Sequence, residues 1–422
     1  MGLVQIPYQW ISELGFRLQR RFWPLDGLGE ATAITPLAVA LVFGCTLAMV
    51  WLAWGSLAAG RGGGTSGALA LQQCEADAQD RLTPTLSLTG QLRRLLLLFL
   101  THLGGMAVGT ESPSASLGAS VLLALRSRVP LLQRFSVPLT VTIGAGAGLG
   151  AAFRSPLLGL AYGLEELSKN QGRSLVLPTL VIAGVGTLVS SPLGQPARQT
   201  GLVLGPLPPS LWGYALLLTL IAVPIGAGFV RVLISVVAQL QGFLKQHRLV
   251  TALGVALVLT LVALASGGVS LNDGGLSLGA TLKGHSGGPW TAIPWRFLSS
   301  VLSIAAGAPG GLMHDTMTLG ALLTSPLQTY FPDLQANDLA QLAAVAAAAL
   351  FGAANGTPLF CGVFVFTLQG DAALLPAILL ASAAASVLAE PLRGEEWGAW
   401  QAERLLRATE AKVVCSNTGG VG

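Results

Sequence analysis

Glu111 lies in Gly109-Thr110-Glu111-Ser112-Pro113, a helix-breaking run set between long apolar stretches. A carboxylate at membrane depth costs about 2.5–3.5 kcal/mol on the insertion scale and marks ion or proton handling. A helix-dipole role, worth about 0.3–1 kcal/mol, is too small to offset that cost. An acidic pair, Glu165-Glu166, closes the apolar run 157–164, where the residues alone read as a solvated helix end. Two further glycine-rich breaks, 62–67 and 307–311, offer backbone N–H groups at helix starts, which suit an anion. Backbone freed in this way survives in lipid only where it faces protein or water. Other chemistry is poorly served. The histidines 102, 247, 285 and 314 share no metal-ligand spacing, and no nucleophile is paired with a base. His314 beside Asp315 makes no metal site, and neither residue is given a role. The four cysteines are far apart and read as ordinary small residues. Neither an enzyme nor a cofactor or metal site is indicated.

These residues need elements to hold them. Charged residues make up 10% of the 422 and hydrophobic ones 52%, against about 25% and 45–50% in soluble domains. The 54 glycines suit close helix packing, so a polytopic, all-α membrane protein is expected. The formal charge of +4, without a basic run, excludes nucleic acid as a partner. The segment 94–157 recurs at a shift of 202 residues: Arg94/Arg296, Gly105/Gly307, Gly109/Gly311, Leu117/Leu319, Gly118/Gly320, Gly150/Gly352, Pro156/Pro358 and Leu157/Leu359 are identical pairs. A duplicated membrane unit broken by Gly and Pro predicts a transporter whose site lies between the repeats. Several apolar segments fall short of the ~20 residues of a simple span, so broken or tilted helices are expected.

The N-terminus interleaves Ile6, Trp10, Ile11, Leu14, Phe16, Leu18 and Phe22 with Arg17, Arg20 and Arg21, as in an amphipathic helix on the membrane surface. The positive-inside rule then puts that cluster in the cytoplasm, and Arg404, Arg407 and Lys412 suggest the same for the C-terminus. The expected division is an amphipathic N-terminal helix in 1–27, a first repeat in 28–190, a linker in 191–208, a second repeat in 209–390, and a last helix with a cytoplasmic tail in 391–422. No appended regulatory domain is expected.

Together the three breaks resemble the signature segments GSGIP, G(K/R)EGP and GxFxP of the CLC family of chloride channels and chloride/proton exchangers. The second reads Gly109-Thr110-Glu111-Ser112-Pro113 and the third Gly307-Ala308-Pro309-Gly310-Gly311-Leu312-Met313-His314-Asp315. The first is weaker, Thr65-Ser66-Gly67-Ala68-Leu69, without the proline. The stretch Gly144 to Leu157, followed by Glu165-Glu166, is also similar to the family, and the resemblance extends over about residues 31–406.

What the resemblance implies is specific. The fold would be two inverted halves in a homodimer of the plasma (inner) membrane, each subunit with its own pore for chloride and protons. Ser66 and Gly67, the backbone N–H groups of Leu312 and Met313, and Trp397 would bind chloride. Glu111 would be the gate, competing with chloride for one N–H-lined position. Glu166 would receive protons from the cytoplasm, which implies exchange of two chlorides for one proton; a passive chloride channel is the alternative. Ser66 favours chloride over fluoride or nitrate in family terms. Departures are Thr110 for a basic residue, Ser112 for Gly, Met313, His314 and Asp315 in the third segment, and Trp397 where the family carries a tyrosine.

Overall fold

The computed structural model describes residues 1–24, 33–167, 172–194 and 199–418, with the side chains of 76, 77, 173 and 411–418 outside the description. The end of the expected 1–27 unit and part of the expected linker therefore lie outside the described residues. Eight principal helices form the first half: α1 (Gly2–Phe22), α2 (Pro36–Ala53), α3 (Ser66–Gln73), α4 (Leu88–Leu103), α5 (Glu111–Arg126), α6 (Val137–Ala152), α7 (Pro156–Ala161) and α8 (Gly172–Ser190). Eight more form the second: α9 (Trp212–Gln246), α10 (Arg248–Ala265), α11 (Gly275–Thr281), α12 (Ala292–Ala305), α13 (Met313–Leu322), α14 (Ala336–Asn355), α15 (Pro358–Gln369) and α16 (Leu375–Arg393). A last helix, α17 (Trp397–Thr418), follows, and short helical turns fill several connections.

Local sequence sets these boundaries. Thr35, Ser136 and Ser155 each accept a backbone N–H of the helix they precede, with proline in the first two helical positions of α2, α6 and α7. Gln335 and Asp338 form a reciprocal capping box at the start of α14. Gly356 and Gly370, at φ 82° and 89°, end α14 and α15 in the left-handed conformation that glycine adopts without strain. Among the described residues, five helices are long and apolar enough to cross a membrane, and four shorter apolar helices accompany them.

Each helix of the first half has its counterpart eight labels later, and the packing repeats. α1 lies against α4, α6 and α8, as α9 lies against α12, α14 and α16. α5 crosses α6 as α13 crosses α14. At those crossings Gly118 and Gly320 are equivalent: a Cβ on either would fall 2.2 Å from the Gly144 carbonyl oxygen or 2.4 Å from that of Ala346. Backbones approach that closely only through small residues. Between the halves, α2 packs on α10 and α7 on α15.

The N-terminal helix departs from the sequence expectation. Gln5, Tyr8, Ser12, Phe16 and Gln19 of α1 are buried, whereas Leu3, Trp10 and Leu14 point outward. Gln5 donates to the Ser114 carbonyl, and Ser12 shares a hydrogen bond with His102. The outward face is apolar at Leu3, Trp10 and Leu14 and cationic at Arg17 and Arg21, whereas the inward face holds uncharged polar groups, and α1 packs as an integral member of the first half.

Candidate functional site

The breaks predicted from sequence meet at one place. Gly109 N–H donates to Gly311 O at 3.2 Å and Gly311 N–H to Gly109 O at 3.3 Å, an isolated antiparallel bridge between residues that are equivalent in the repeat. A local two-fold therefore passes through the bridge. It also relates two flanking contacts, Gly62 N–H to Gly307 O at 3.1 Å and Asn272 N–H to Gly105 O at 2.8 Å. The loops before α3 and α11 obey the same symmetry: Gly62 and Asn272 have φ of 69° and 60°, and Gly64 and Gly274 of 82° and 76°. Gly64 and Gly274 admit no Cβ, because the guanidinium of Arg94 or Arg296 fills that space. Both arginines are buried. Arg94 binds Gly62 O, Gln91 and Ser116, whereas Arg296 binds the carbonyls of Val269, Leu271 and Asn272 together with Asp315 at 3.2 Å.

Three cavities lie near the bridge among the described residues. The α3 vestibule, about 250 Å³, is lined by Ser66, Gly307, Trp397, Trp400 and the cations Arg61, Lys245 and Arg404, with no acidic residue among its described lining. The α11 vestibule, about 370 Å³, reaches His314 and Arg296 and carries Glu13, Arg20, Asp273 and Lys283. Between them a chamber of about 20 Å³ has room for a water-sized occupant. Its walls include Thr65, Ser112, Tyr162, Glu166, Gly310 to Met313, Asn355 and Trp397.

Glu111, the first residue of α5, is 1% exposed and its carboxylate folds back over Gly109. Oε1 lies 2.6 Å from His314 Nδ1, and no hydrogen-bond partner is found for Oε2 among the described residues. Leu312 and Met313 begin α13 at the chamber wall, where helix-start N–H groups have no carbonyl one turn before them. Glu166 lies on a turn of π-helix at 162–167; its Oε2 accepts from Asn355 Nδ2 at 2.7 Å and Thr357 Oγ1 at 3.3 Å. Such widened turns recur at functional sites. Glu165 instead accepts the Phe360 N–H at 2.7 Å, holding the start of α15. The solvated-end reading of the acidic pair is thereby replaced: both carboxylates are tied to the second half.

Other sequence expectations shift by a residue or move. Ser66 lines the α3 vestibule, and its neighbour Thr65 is the hydroxyl residue at the chamber, because the left-handed turns at Gly62 and Gly64 bring the loop, not the helix, against Gly310. Gly67 lines neither cavity; Thr85 Oγ1 occupies the space beside it. Trp397 lines both the chamber and the α3 vestibule and is stacked on Trp400. His314 and Asp315, left without roles, are here the partners of Glu111 and Arg296. Tyr162 and Asn355 were also missed. Tyr162 stands one helical turn before Glu166, a spacing that puts two side chains on one face, and its phenol interacts with Thr65. Arg20 lines the α11 vestibule and Arg404 the α3 vestibule.

Residues 39–390 match the family model described as voltage gated chloride channel. The chain belongs to the CLC family. Over 323 residues it is 28% identical to the voltage-gated ClC-type chloride channel ClcB of Yersinia pseudotuberculosis, spanning 74% of this chain and 75% of the relative. Identity to the H(+)/Cl(-) exchange transporter ClcA of Vibrio cholerae is 26% over 313 residues, 69% of this chain and 64% of the relative. The fold matches that of a slow cyanobacterial Cl-/H+ antiporter with a TM-score of 0.76 at 20% identity, covering 96% of this chain and 95% of the other. A CLC-type fluoride/proton antiporter matches with a TM-score of 0.71 at 20% identity, covering 92% and 94%. The chain is thus an all-α, polytopic membrane protein with the CLC fold.

Proposed function

We propose that this CLC protein is a chloride/proton antiporter gated by Glu111. The observation that carries the reading is the buried Glu111 carboxylate beside the two-fold bridge, where its neighbour Ser112 lines the small chamber and its partner His314 borders the α11 vestibule. In its role as gate, the ionised carboxylate takes the position lined by helix-start N–H groups, and protonation releases that position to chloride. Chloride in the chamber is held by neutral donors: the amides of Leu312 and Met313, the hydroxyls of Thr65, Ser112 and Tyr162, and the Trp397 indole. Neutral donors permit rapid exit, whereas a fixed cation would retain the ion. Ser66 receives chloride from the α3 vestibule, whose cations concentrate anions. Glu166 delivers protons to the same chamber, with Asn355 and Thr357 fixing its carboxylate.

Relatives named as a channel and as an exchanger both match, and the passive channel is the second reading. It is favoured by Trp397, which brings an indole rather than a hydroxyl to the chamber from the last helix. Glu166 at the chamber wall supports coupling over that alternative. The two apolar faces at Leu177, Val181, Val185 and Leu188 of α8 and at Leu380 and Val387 of α16 are exposed and support burial in lipid or in a homodimer interface. The α3 vestibule and the C-terminus are assigned to the cytoplasm of an inner membrane, with Arg404 and Arg407 on that side. No cofactor or metal is needed, only chloride and protons as transported ions.

Reconstitution into liposomes with a chloride gradient tests the assignment. Wild type is expected to move protons against chloride; Glu111→Ala keeps chloride flux without protons, and Glu166→Ala loses proton transport. Equal proton flux in all three proteins would refute it.

A further inference from the structure

His314 joins two spaces that Glu111 alone does not. Its Nδ1 is 2.6 Å from Glu111 Oε1, its ring meets the edge of Phe364, and the residue borders the α11 vestibule while being 2% exposed. It faces charges from several elements: Glu111 on α5, the Asp315–Arg296 ion pair of α13 and α12, Asp273 and Lys283 on either side of α11, and Glu13 and Arg20 of α1. Asp315 is committed to Arg296, and the described partner of the Glu111 carboxylate is the imidazole. Under the repeat His314 is equivalent to Ser112, so the pairing breaks the symmetry of the two halves at the gate.

We propose that His314 is the proton relay between the α11 vestibule and the Glu111 carboxylate, and the latch that holds that carboxylate in its closed position. This rests on the reading of Glu111 as gate and adds the route by which its proton arrives. Nε2 takes a proton from vestibule water, giving an imidazolium. The Nδ1 proton passes to Glu111 Oε1, leaving a neutral acid and a neutral imidazole with its hydrogen on Nε2. The charge-assisted hydrogen bond is then lost, and the neutral acid leaves the closed position. Release in the other direction reverses each transfer; for a second transfer in the same direction the Nε2 proton is first lost to vestibule water and Nδ1 reprotonated, or the ring flips, which restores the starting tautomer with no net proton or charge left on the ring. Imidazole suits the task because its ordinary pKa of about 6.5 permits both forms near neutrality.

The test uses the full-length protein in liposomes with proton and chloride fluxes read between pH 5.5 and 8.5 on the α11-vestibule side. His314→Gln retains an amide donor for Glu111 but cannot carry a proton, and His314→Ala opens space for a bath base. The expected result is proton flux reduced by ~10²-fold or more in both variants, the order of a lost general acid–base step, with chloride movement retained. Imidazole in the bath restores proton flux in His314→Ala, and the wild-type pH profile loses its histidine-range inflection in His314→Gln. Wild-type proton flux and pH profile in His314→Gln overturn the relay, and so does loss of both fluxes in the two variants without imidazole rescue. Glu111→Gln is run alongside: persistent coupling there refutes the gate itself, whereas abolished coupling there with intact coupling in His314→Gln refutes only the relay.

Discussion

Tyr162 illustrates how a single residue changes the chemistry of the chamber. The last helix brings the indole of Trp397 to the chamber, and a phenol reaches the same small cavity from the π-helical turn that also carries Glu166. A hydrogen bond to a charged partner contributes about 1.5–3 kcal/mol, so Tyr162→Phe is expected to weaken chloride binding roughly 10-fold or more in calorimetric titration of the purified protein. An unchanged dissociation constant would remove the phenol from the site. Thr65 makes the complementary point. The sequence motif directs attention to Ser66, but the two positive-φ glycines of its loop rotate the chain by one residue, and Thr65 meets the chamber.

At the scale of elements, the two buried arginines define how each broken helix is held. Arg94 donates to a carbonyl, an amide and a hydroxyl oxygen, whereas Arg296 adds Asp315 to three backbone carbonyls. Both tie the loop before a short helix to the helix that follows it, Arg94 of α4 holding the loop before α3 and Arg296 of α12 the loop before α11. Arg296→Met leaves Asp315 as an unpaired buried carboxylate and is expected to destabilise the protein by about 3–5 kcal/mol. Arg296→Met with Asp315→Leu removes both charges and should recover part of that loss. Thermal unfolding in detergent compares the three proteins, and a double variant no more stable than the single one would deny the pairing an energetic role.

At the scale of the molecule, the vestibules differ in charge although the fold relates them by a two-fold. Arg61, Lys245 and Arg404 face the α3 side, with Arg61 lying over Trp54 and Arg404 over Trp400, while acids and bases mix on the α11 side. A one-signed funnel raises the local anion concentration, an effect that salt screens over about 8–10 Å at physiological ionic strength. Arg404→Gln is therefore expected to slow chloride uptake from the α3 side several-fold at low ionic strength and to approach wild type in 0.5 M inert salt. Equal slowing at both ionic strengths would argue for a local contact of Arg404 instead.

The sequence by itself determined the kind of protein and the kind of chemistry. Sparse charge, abundant glycine and a 202-residue repeat require a duplicated helical membrane unit, since apolar surroundings leave backbone polar groups satisfied only within helices or at protein-lined breaks. The cost of burying Glu111 marked it without any coordinates. The repeat was legible only from Arg94 onward; the preceding loops are equivalent at a shift of 210 residues, from Gly62 to Asn272, and that change of spacing with different side chains hides them from sequence comparison. Tertiary structure alone decided which side chains meet across the two-fold. His314 is 203 residues from Glu111 and Asn355 is 189 from Glu166, so neither pair follows from local spacing. It also decided that α1 buries Gln5, Ser12 and Gln19 while Leu3, Trp10 and Leu14 face outward, because helix periodicity describes a stripe while the neighbouring helices and lipid determine which stripe is buried.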